Sequence, residues 1–168
     1  CGTLFPYTTL FRSVQDIQLT GSGNLQKKTW KANLSTGRTK IAGPEINSEI
    51  RAFQLEGSML ENRIEPLLLS LETEQSKIDL SASARQLFSE PLIDLNLDSN
   101  IDLGEVQKIF SLEPEMTGRT VLNLRANGPL DNPDVKLTLS YGGGLVAGRE
   151  IETIEFIRTE QVDGQLPA

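Results

Sequence analysis

The chain is predicted to be all-β, with a long curved antiparallel sheet that forms a trough with an apolar inner face. Apolar and polar residues alternate with a period of two through most of the chain, and turn-forming residues separate these stretches. Apolar residues take helical spacing in one short segment only, around residues 104–110. Many one-faced strands with almost no helix indicate a sheet that curls around its own apolar face.

Taken in chain order, the strands are predicted from stretches of alternating or β-prone residues. The clearest is PLIDLNLDSNIDL (91–103), where Ile93, Leu95 and Leu97 alternate with acidic and amide residues. Turn signals lie between the strands at Gly37, 43–44, Gly57–Ser58, 127–129, 131–133 and 142–144. The predicted strands read VQDIQLTG, TWKANLS, AFQLEGSM, IEPLLLSLE, KIDLSASA, PLIDLNLDSNIDL, VLNLRA, VKLTLS and the region around IETIEFI.

The single predicted helix spans about residues 104–110. Val106, Ile109 and Phe110 share one helical face, and Pro114 prevents continuation. One short helix cannot cover a long sheet, so the apolar face must be removed from water in another way. The sheet either curves around that face or packs against a second sheet, so a two-sheet β-sandwich is the structural alternative.

Residues 1–13 are predicted to be foreign to the protein. TLFPYTTLFRS (3–13) contains three of the nine aromatic residues, and Pro6 would interrupt any strand drawn through it. The peptide resembles the in-frame translation of a common sequencing adapter, so it is set aside as a tag would be. The native region is then 14–168, which we expect to be a fragment of a longer protein.

The composition argues against several functions. The chain has no His, and its one Cys is Cys1, so zinc ligands and the usual activated nucleophiles are lacking. The formal charge is −7, and about −8 once Arg12 is set aside, which argues against nucleic acid as a partner. We therefore expect a non-enzymatic protein with no cofactor and no metal.

Three polar motifs have ordinary structural explanations. Asp94, Asp98 and Asp102 could form a paired-acid site, but their spacing favours the solvated face of a strand. The 131–134 segment has too few ligands for an EF-hand and is typical of a turn. The 142–147 segment matches G-x-G-x-x-A, but a predicted strand follows it where a nucleotide site requires a helix.

One apolar set is large enough to form a functional surface. Its members alternate with polar residues on the predicted strands, and they would either fill a sandwich core or line an open groove for acyl chains. Periodicity alone does not separate these two interpretations. The set is Leu67, Leu69, Leu71, Ile78, Leu80, Ile93, Leu95, Leu97, Leu122, Leu124, Val135, Leu137 and Leu139.

Three phrases carry a family resemblance: SKIDL (76–80), IDLGEV (101–106) and GPLDNPDV (128–135). With the repeated plan of strand, loop and strand around them, they resemble the repetitive part of AsmA-like and TamB-like envelope proteins of Gram-negative bacteria. The last phrase is similar to the recurrent G-x-L-x-x-P-x-V turn of that family. The resemblance covers most of residues 14–160.

The resemblance implies a fold and a function. Such proteins are anchored in the inner membrane by one N-terminal helix and cross the periplasm as a long bent sheet with an apolar interior. They are associated with phospholipid transport toward the outer membrane and, through an outer-membrane barrel partner of the TamA type, with assembly of barrel proteins. The expected ligand is therefore phospholipid acyl chains. The functional alternative, which goes with the sandwich, is a binding or adhesion module of a secreted or surface protein.

Overall fold

A computed structural model describes residues 11–14, 17–24, 26–42, 47–110, 112–113 and 115–160. Strands dominate this part of the chain, as predicted, with one helix between two of them. The helix is α1 (Leu103–Phe110). The described strands are β1 (Phe11–Val14), β2 (Gln18–Asn24), β3 (Thr29–Thr36), β4 (Thr39–Ala42), β5 (Asn47–Ile50), β6 (Ala52–Leu60), β7 (Arg63–Glu72), β8 (Lys77–Arg85), β9 (Leu92–Asp102), β10 (Arg119–Pro129), β11 (Asp134–Tyr141), β12 (Gly144–Val146), β13 (Arg149–Ile151) and β14 (Ile154–Glu160).

Nine strands form one open antiparallel sheet in the order β14-β11-β10-β9-β8-β7-β6-β3-β2. Chain neighbours pair along most of it, so the sheet is a meander with insertions. The strands β4 and β5 join β1 in a separate three-stranded sheet, and β12 pairs with β13 in a hairpin. The long sheet does not close into a barrel, which confirms the prediction of an open sheet. Its two edge strands are β2 and β14.

The adapter-like peptide is partly included in the fold. Its last residues, 11–13, lie in β1, where Phe11 is opposite Ile41 and Ser13 is opposite Lys40. Residues 1–10 lie outside the described residues. The foreign origin of this peptide therefore stays a prediction, and its described residues, 11–13, do not belong to the nine-stranded sheet.

The predicted turn at Gly57–Ser58 is wrong, because both residues lie inside β6. The irregularity belongs instead to the partner strand, where the register of β7 shifts between Ile64 and Leu67. Pro66 lies in that shift, and a proline in a central strand needs a bulge because it has no N–H to donate. Gly57 leaves room for the bulge, since a Cβ there would lie 2.8 Å from Leu67 Cδ1.

The predicted turn at 127–129 is also misplaced, because β10 continues to Pro129. The chain reverses at residues 130–133, where Asn132 N–H donates to the Pro129 carbonyl at 3.1 Å. Gly128 has a φ of +115°, a conformation that glycine adopts without a Cβ penalty. Gly128 lies near the end of a strand, and from the sequence alone such a glycine is not distinguishable from a glycine in a turn.

The predicted helix is confirmed, and it begins at Leu103. Asp102 caps its N-terminus, where Oδ1 accepts a hydrogen bond from Glu105 N–H at 2.9 Å. The structure adds no second helix within the described ranges. The described residues contain no helix with the length and apolar character of a membrane span.

Burial is shallow throughout the described residues. Ala126 and Tyr141 are the buried apolar residues, and no large side chain among the described residues is fully enclosed. In a closed sandwich, the inward side chains of two sheets bury one another across about 10 Å. Within the described ranges, the apolar face of the long sheet is therefore not sealed as such a core would be.

Candidate functional site: the apolar face of the long sheet

All thirteen predicted apolar residues lie on one face of the long sheet. The strand registers place them directly opposite one another or opposite other residues of the same face. Leu97, for example, is opposite Leu80 on β8 and Leu124 on β10. We call this surface the apolar face. Side chains in opposed positions on antiparallel strands have Cβ atoms roughly 4.5–5.5 Å apart, close enough to pack against each other.

The centre of the apolar face is an uninterrupted row of leucines, one from each of eight consecutive strands. We call it the leucine row. At about 4.8 Å between neighbouring strands, it extends about 34 Å across the sheet. On β14 the row ends, because Arg158 lies opposite Leu137. Its members, from β2 to β11, are Leu19, Leu34, Leu55, Leu69, Leu80, Leu97, Leu124 and Leu137.

The remaining predicted residues flank the leucine row. On one side Leu67, Leu95 and Val135 alternate with Ala82 and Ala126 in register. On the other side lie Leu71, Ile78, Leu122 and Leu139. Ile93 lies one row further out, opposite Ala84 and Gly128.

The apolar face remains accessible to solvent. Twelve of the thirteen predicted residues are half-buried, and Leu139 is exposed, with 37% of its surface accessible. At the two edges, Leu19 is 74% and Phe156 46% exposed. Neighbouring side chains therefore shield one another laterally, while the outward surface of the row stays uncovered by other described residues.

Sequence reasoning missed the part of the apolar face contributed by β2, β3 and β6. Leu34, Leu55 and Phe53 lie on strands that were predicted, but these residues were not included in the apolar set. Trp30, opposite Met59 on the same face, was also missed. Their alternation with polar residues was the available signal, and it would have found Leu34 and Leu55.

The other face of the long sheet is polar. Asp79 on β8 is opposite Ser70 on β7 and Asp98 on β9. Lys77 Nζ lies 2.8 Å from Asp79 Oδ2, and Ser70 Oγ donates to Asp79 Oδ1 at 2.7 Å. Hydrogen bonds from Lys77 and then Ser70 lower the pKa of Asp79, and the bond to Asp79 raises the pKa of Lys77.

The predicted solvated carboxylates divide between two places. Asp94 and Asp98 lie on the polar face, opposite Asn127 and Asn123 of β10. Asp102 lies at the end of β9 and caps α1. The three side chains therefore follow one another along a strand and do not converge on one cleft.

The polar face also contains shallow cavities. Two of them, about 220 and 270 Å³ in volume, lie beside Asp79 and are lined by residues such as Asn96, Asn100 and Asn123. Within the described residues, no three His, Cys, Asp or Glu side chains are arranged to hold a metal ion.

A buried carboxylate that the sequence analysis did not single out lies at the end of the sheet where α1 begins. Glu105 is 5% exposed, and its Oε2 accepts hydrogen bonds from Thr73 Oγ1 at 2.6 Å and Ser76 Oγ at 2.5 Å. Its Oε1 accepts a third from Glu74 N–H at 3.1 Å. Ser76 Oγ in turn accepts a bond from Asp102 N–H at 3.0 Å. These hydrogen bonds connect the β7–β8 turn to the start of α1, and the D-x-x-E spacing at residues 102–105 marks the start of a helix but does not predict them.

The two remaining motifs are turns and strands in the structure. Residues 130–133 form the β10–β11 turn, and Asp134 begins β11. The 142–147 segment follows β11, but it leads into the β12–β13 hairpin and not into a helix. Neither segment has the structural context that its binding motif requires.

Comparison of the chain with protein-family models, curated proteins and solved structures finds no match.

Proposed function

We propose that this chain is a segment of an AsmA/TamB-like periplasmic protein whose apolar face holds phospholipid acyl chains on their way between the inner and outer membranes. The full-length protein would be anchored in the inner membrane and would act without catalysis. Cooperation with an outer-membrane barrel of the TamA type, and support for outer-membrane protein assembly, belong to the same proposal.

The observation that supports this proposal is the leucine row on a face that no described residue covers. An acyl chain has no hydrogen-bonding groups, so it is best matched by a surface that offers none. Each square ångström of apolar surface that chain and protein remove from water contributes about 25 cal/mol. The acyl chains of one leaflet occupy about half of the roughly 30 Å hydrocarbon core of a bilayer. The row is about twice that length, enough for more than one chain along its extent.

The alternative is a binding or adhesion module in which the apolar face is only a core. That function would require a second layer over the leucine row. Seven of its members are half-buried and Leu19 is exposed, which gives no sign of such a layer within the described ranges. Lipid contact measured at the leucine row and at the polar face of the same strand distinguishes a lipid-binding segment from a binding or adhesion module.

The test is site-specific photo-crosslinking with the 168-residue chain. A benzophenone amino acid replaces Leu124 in one variant and its neighbour Asn123 in the other. Both positions are half-buried on β10, but Asn123 projects from the polar face. Each variant is mixed with vesicles of phosphatidylethanolamine and phosphatidylglycerol with radiolabelled acyl chains, and irradiated.

We expect a labelled lipid adduct at position 124 and little or none at 123. Equal labelling at the two positions would indicate non-specific membrane contact and contradict the proposal. An absence of adducts at 124, with the chain folded by circular dichroism, would favour the binding-module alternative.

A further inference from the structure

A hollow at the ends of β6, β7 and β8 brings two arginines together. It has a volume of about 410 Å³ and lies at the end of the long sheet opposite to α1, where the β6–β7 turn meets the β8–β9 loop. We call it the arginine hollow. Its lining residues are Leu60, Glu61, Asn62, Arg63, Arg85 and Gln86.

The two arginines of the hollow lie directly opposite each other, Arg63 on β7 and Arg85 on β8. Like charges in opposed positions are destabilising, since their Cβ atoms are only roughly 4.5–5.5 Å apart. At the other end of the same two strands, Glu72 is opposite Lys77, so the register there pairs opposite charges. The arginine end is therefore the end of this strand pair at which the register places two positive charges side by side.

The acidic residues near the arginine hollow do not neutralise the pair. Arg63 Nε lies 2.8 Å from Glu65 Oε1, but these side chains are 53% and 41% exposed, and ion pairs in contact with water are weak. Arg85 is exposed and makes no ion pair with a described residue. Glu61 is the acidic residue of the lining, so two arginines and one glutamate give the lining a net charge of +1.

Asn62 adds a hydrogen-bond donor to the arginine hollow. Its main-chain carbonyl accepts from Leu87 N–H at 3.2 Å, and its Oδ1 accepts from Phe88 N–H at 3.1 Å. These bonds hold the β6–β7 turn against the β8–β9 loop, and they leave the Nδ2 group of Asn62 to donate. Guanidinium and amide N–H groups are donors that suit phosphate oxygens, and arginine binds phosphate with two parallel hydrogen bonds.

Apolar residues flank the two arginines. Leu60 on β6 is opposite Arg63, and Leu92 on β9 is opposite Arg85. A phosphate that carries an apolar body matches these surroundings better than an inorganic ion does. Leu80, a member of the leucine row, lies five residues from Arg85 along β8, about 17 Å at roughly 3.3 Å per residue. This distance is close to the half of a bilayer core, roughly 15 Å, that the acyl chains of one leaflet occupy.

We propose that Arg63 and Arg85 bind a phosphate group in the arginine hollow, with the Asn62 amide as a further donor. The phosphate replaces the repulsion between the two guanidinium groups with charge-assisted hydrogen bonds. In a phospholipid this phosphate belongs to the headgroup, and the acyl chains extend past the strand ends toward the leucine row. This orientation of the lipid rests on the proposed function, whereas the binding of a phosphate does not.

Nuclear magnetic resonance of the arginine Nε–H groups tests the site in the 168-residue chain. The chain, with isotope-labelled arginine, is titrated with glycerol 3-phosphate and, separately, with sodium chloride at the same ionic strength. We expect saturable shifts at Arg63 and Arg85 with the phosphate only, and none at Arg125, which is exposed on β10. Arg85→Gln should raise the dissociation constant measured at Arg63 at least about tenfold. Arg125→Gln removes the same charge from the polar face and should leave that constant unchanged.

Dihexanoyl phosphatidylglycerol, a short-chain phospholipid added as monomers, distinguishes the two sources of phosphate. Tighter binding than that of glycerol 3-phosphate would assign the site to a phospholipid headgroup, and equal binding would assign it to free phosphate esters. The absence of saturable shifts, equal shifts at Arg125, or shifts that Arg85→Gln does not weaken would overturn the proposal. A lipid adduct at position 124 without phosphate binding would overturn this site alone, and phosphate binding without that adduct would overturn the lipid path alone.

Discussion

Replacing Leu95 by aspartate separates an open apolar face from a closed core. Leu95 is half-buried on β9, and its cross-strand neighbours are Ala82 and Ala126. Because complete burial of a leucine contributes about 1.5–3 kcal/mol, half of that, about 0.8–1.5 kcal/mol, should be lost. The small neighbours leave the new carboxylate in contact with water, so the desolvation cost stays low. Leu137 is less suitable for this test, because Arg158 opposite it would pair with an introduced acid.

The assay is urea unfolding followed by far-ultraviolet circular dichroism, combined with lipid crosslinking from position 124. We expect the Leu95→Asp chain to fold, with its free energy of unfolding lowered by about 0.8–1.5 kcal/mol. Its lipid adduct should fall several-fold, because the charge interrupts the apolar surface. Ser81→Asp, half-buried on the polar face of β8, is the control and should change neither quantity by much.

Two results would contradict an open face that binds acyl chains. An uncompensated charge in a closed core costs roughly 3–5 kcal/mol, so a loss of that size would indicate a sealed interior in place of an open face. A folded Leu95→Asp chain that forms as much lipid adduct as the unsubstituted one would show that acyl chains do not lie on this face.

Three further predictions concern stability. Glu61→Gly should raise the free energy of unfolding by about 0.5–1 kcal/mol in urea titration, because Glu61 has a φ of +53° in the β6–β7 turn. An unchanged free energy of unfolding would show that the backbone conformation of Glu61 is not strained. Glu105→Ala should lower the free energy of unfolding by about 3 kcal/mol, because the Thr73 and Ser76 hydroxyls lose their buried acceptor. Lys108→Ala, at an exposed position on the same helix, is the control for helix content. The pKa of Asp79 is lower in the folded chain than in the unfolded chain. Its contribution to the free energy of unfolding is therefore complete above the unfolded pKa near 3.9 and is lost as the pH falls through the lower folded pKa. Asp79→Asn should flatten this part of the curve of stability against pH, and a curve identical to that of the unsubstituted chain would contradict the prediction.

Much of the fold could be predicted because a strand has a local signature. Alternation with a period of two assigns a face to each residue without any knowledge of its partner. For this reason Leu69, Leu97 and Leu124 were correctly placed on one side before the pairing was known. The Asp102-capped helix was also local, since its spacing and the following Pro114 are contained in a dozen residues.

The errors arose where a residue's role depends on another strand. Gly57 was predicted to lie in a turn, but it lies within β6. A glycine is needed there because the side chain of Leu67, ten residues later, occupies the space that a Cβ would take. Glu105 reads as one more surface acid, but Thr73 and Ser76 come to it from 29 residues or more away in the sequence. Contacts of this kind are absent from a local pattern, because a single sequence does not state which strands pair.

The amino-acid sequence alone was enough to predict one-faced strands and thirteen of the residues that share their apolar side, and it shows that the chain has no His. The tertiary structure was needed to show the register that aligns eight leucines across eight strands, the ending of that row at Arg158, and the lack of a cover over the face among the described residues. The physical reason is the range of the interactions. Alternation is set within a strand by the direction of successive side chains. Register and covering depend on hydrogen bonds and packing between segments that are distant in the sequence.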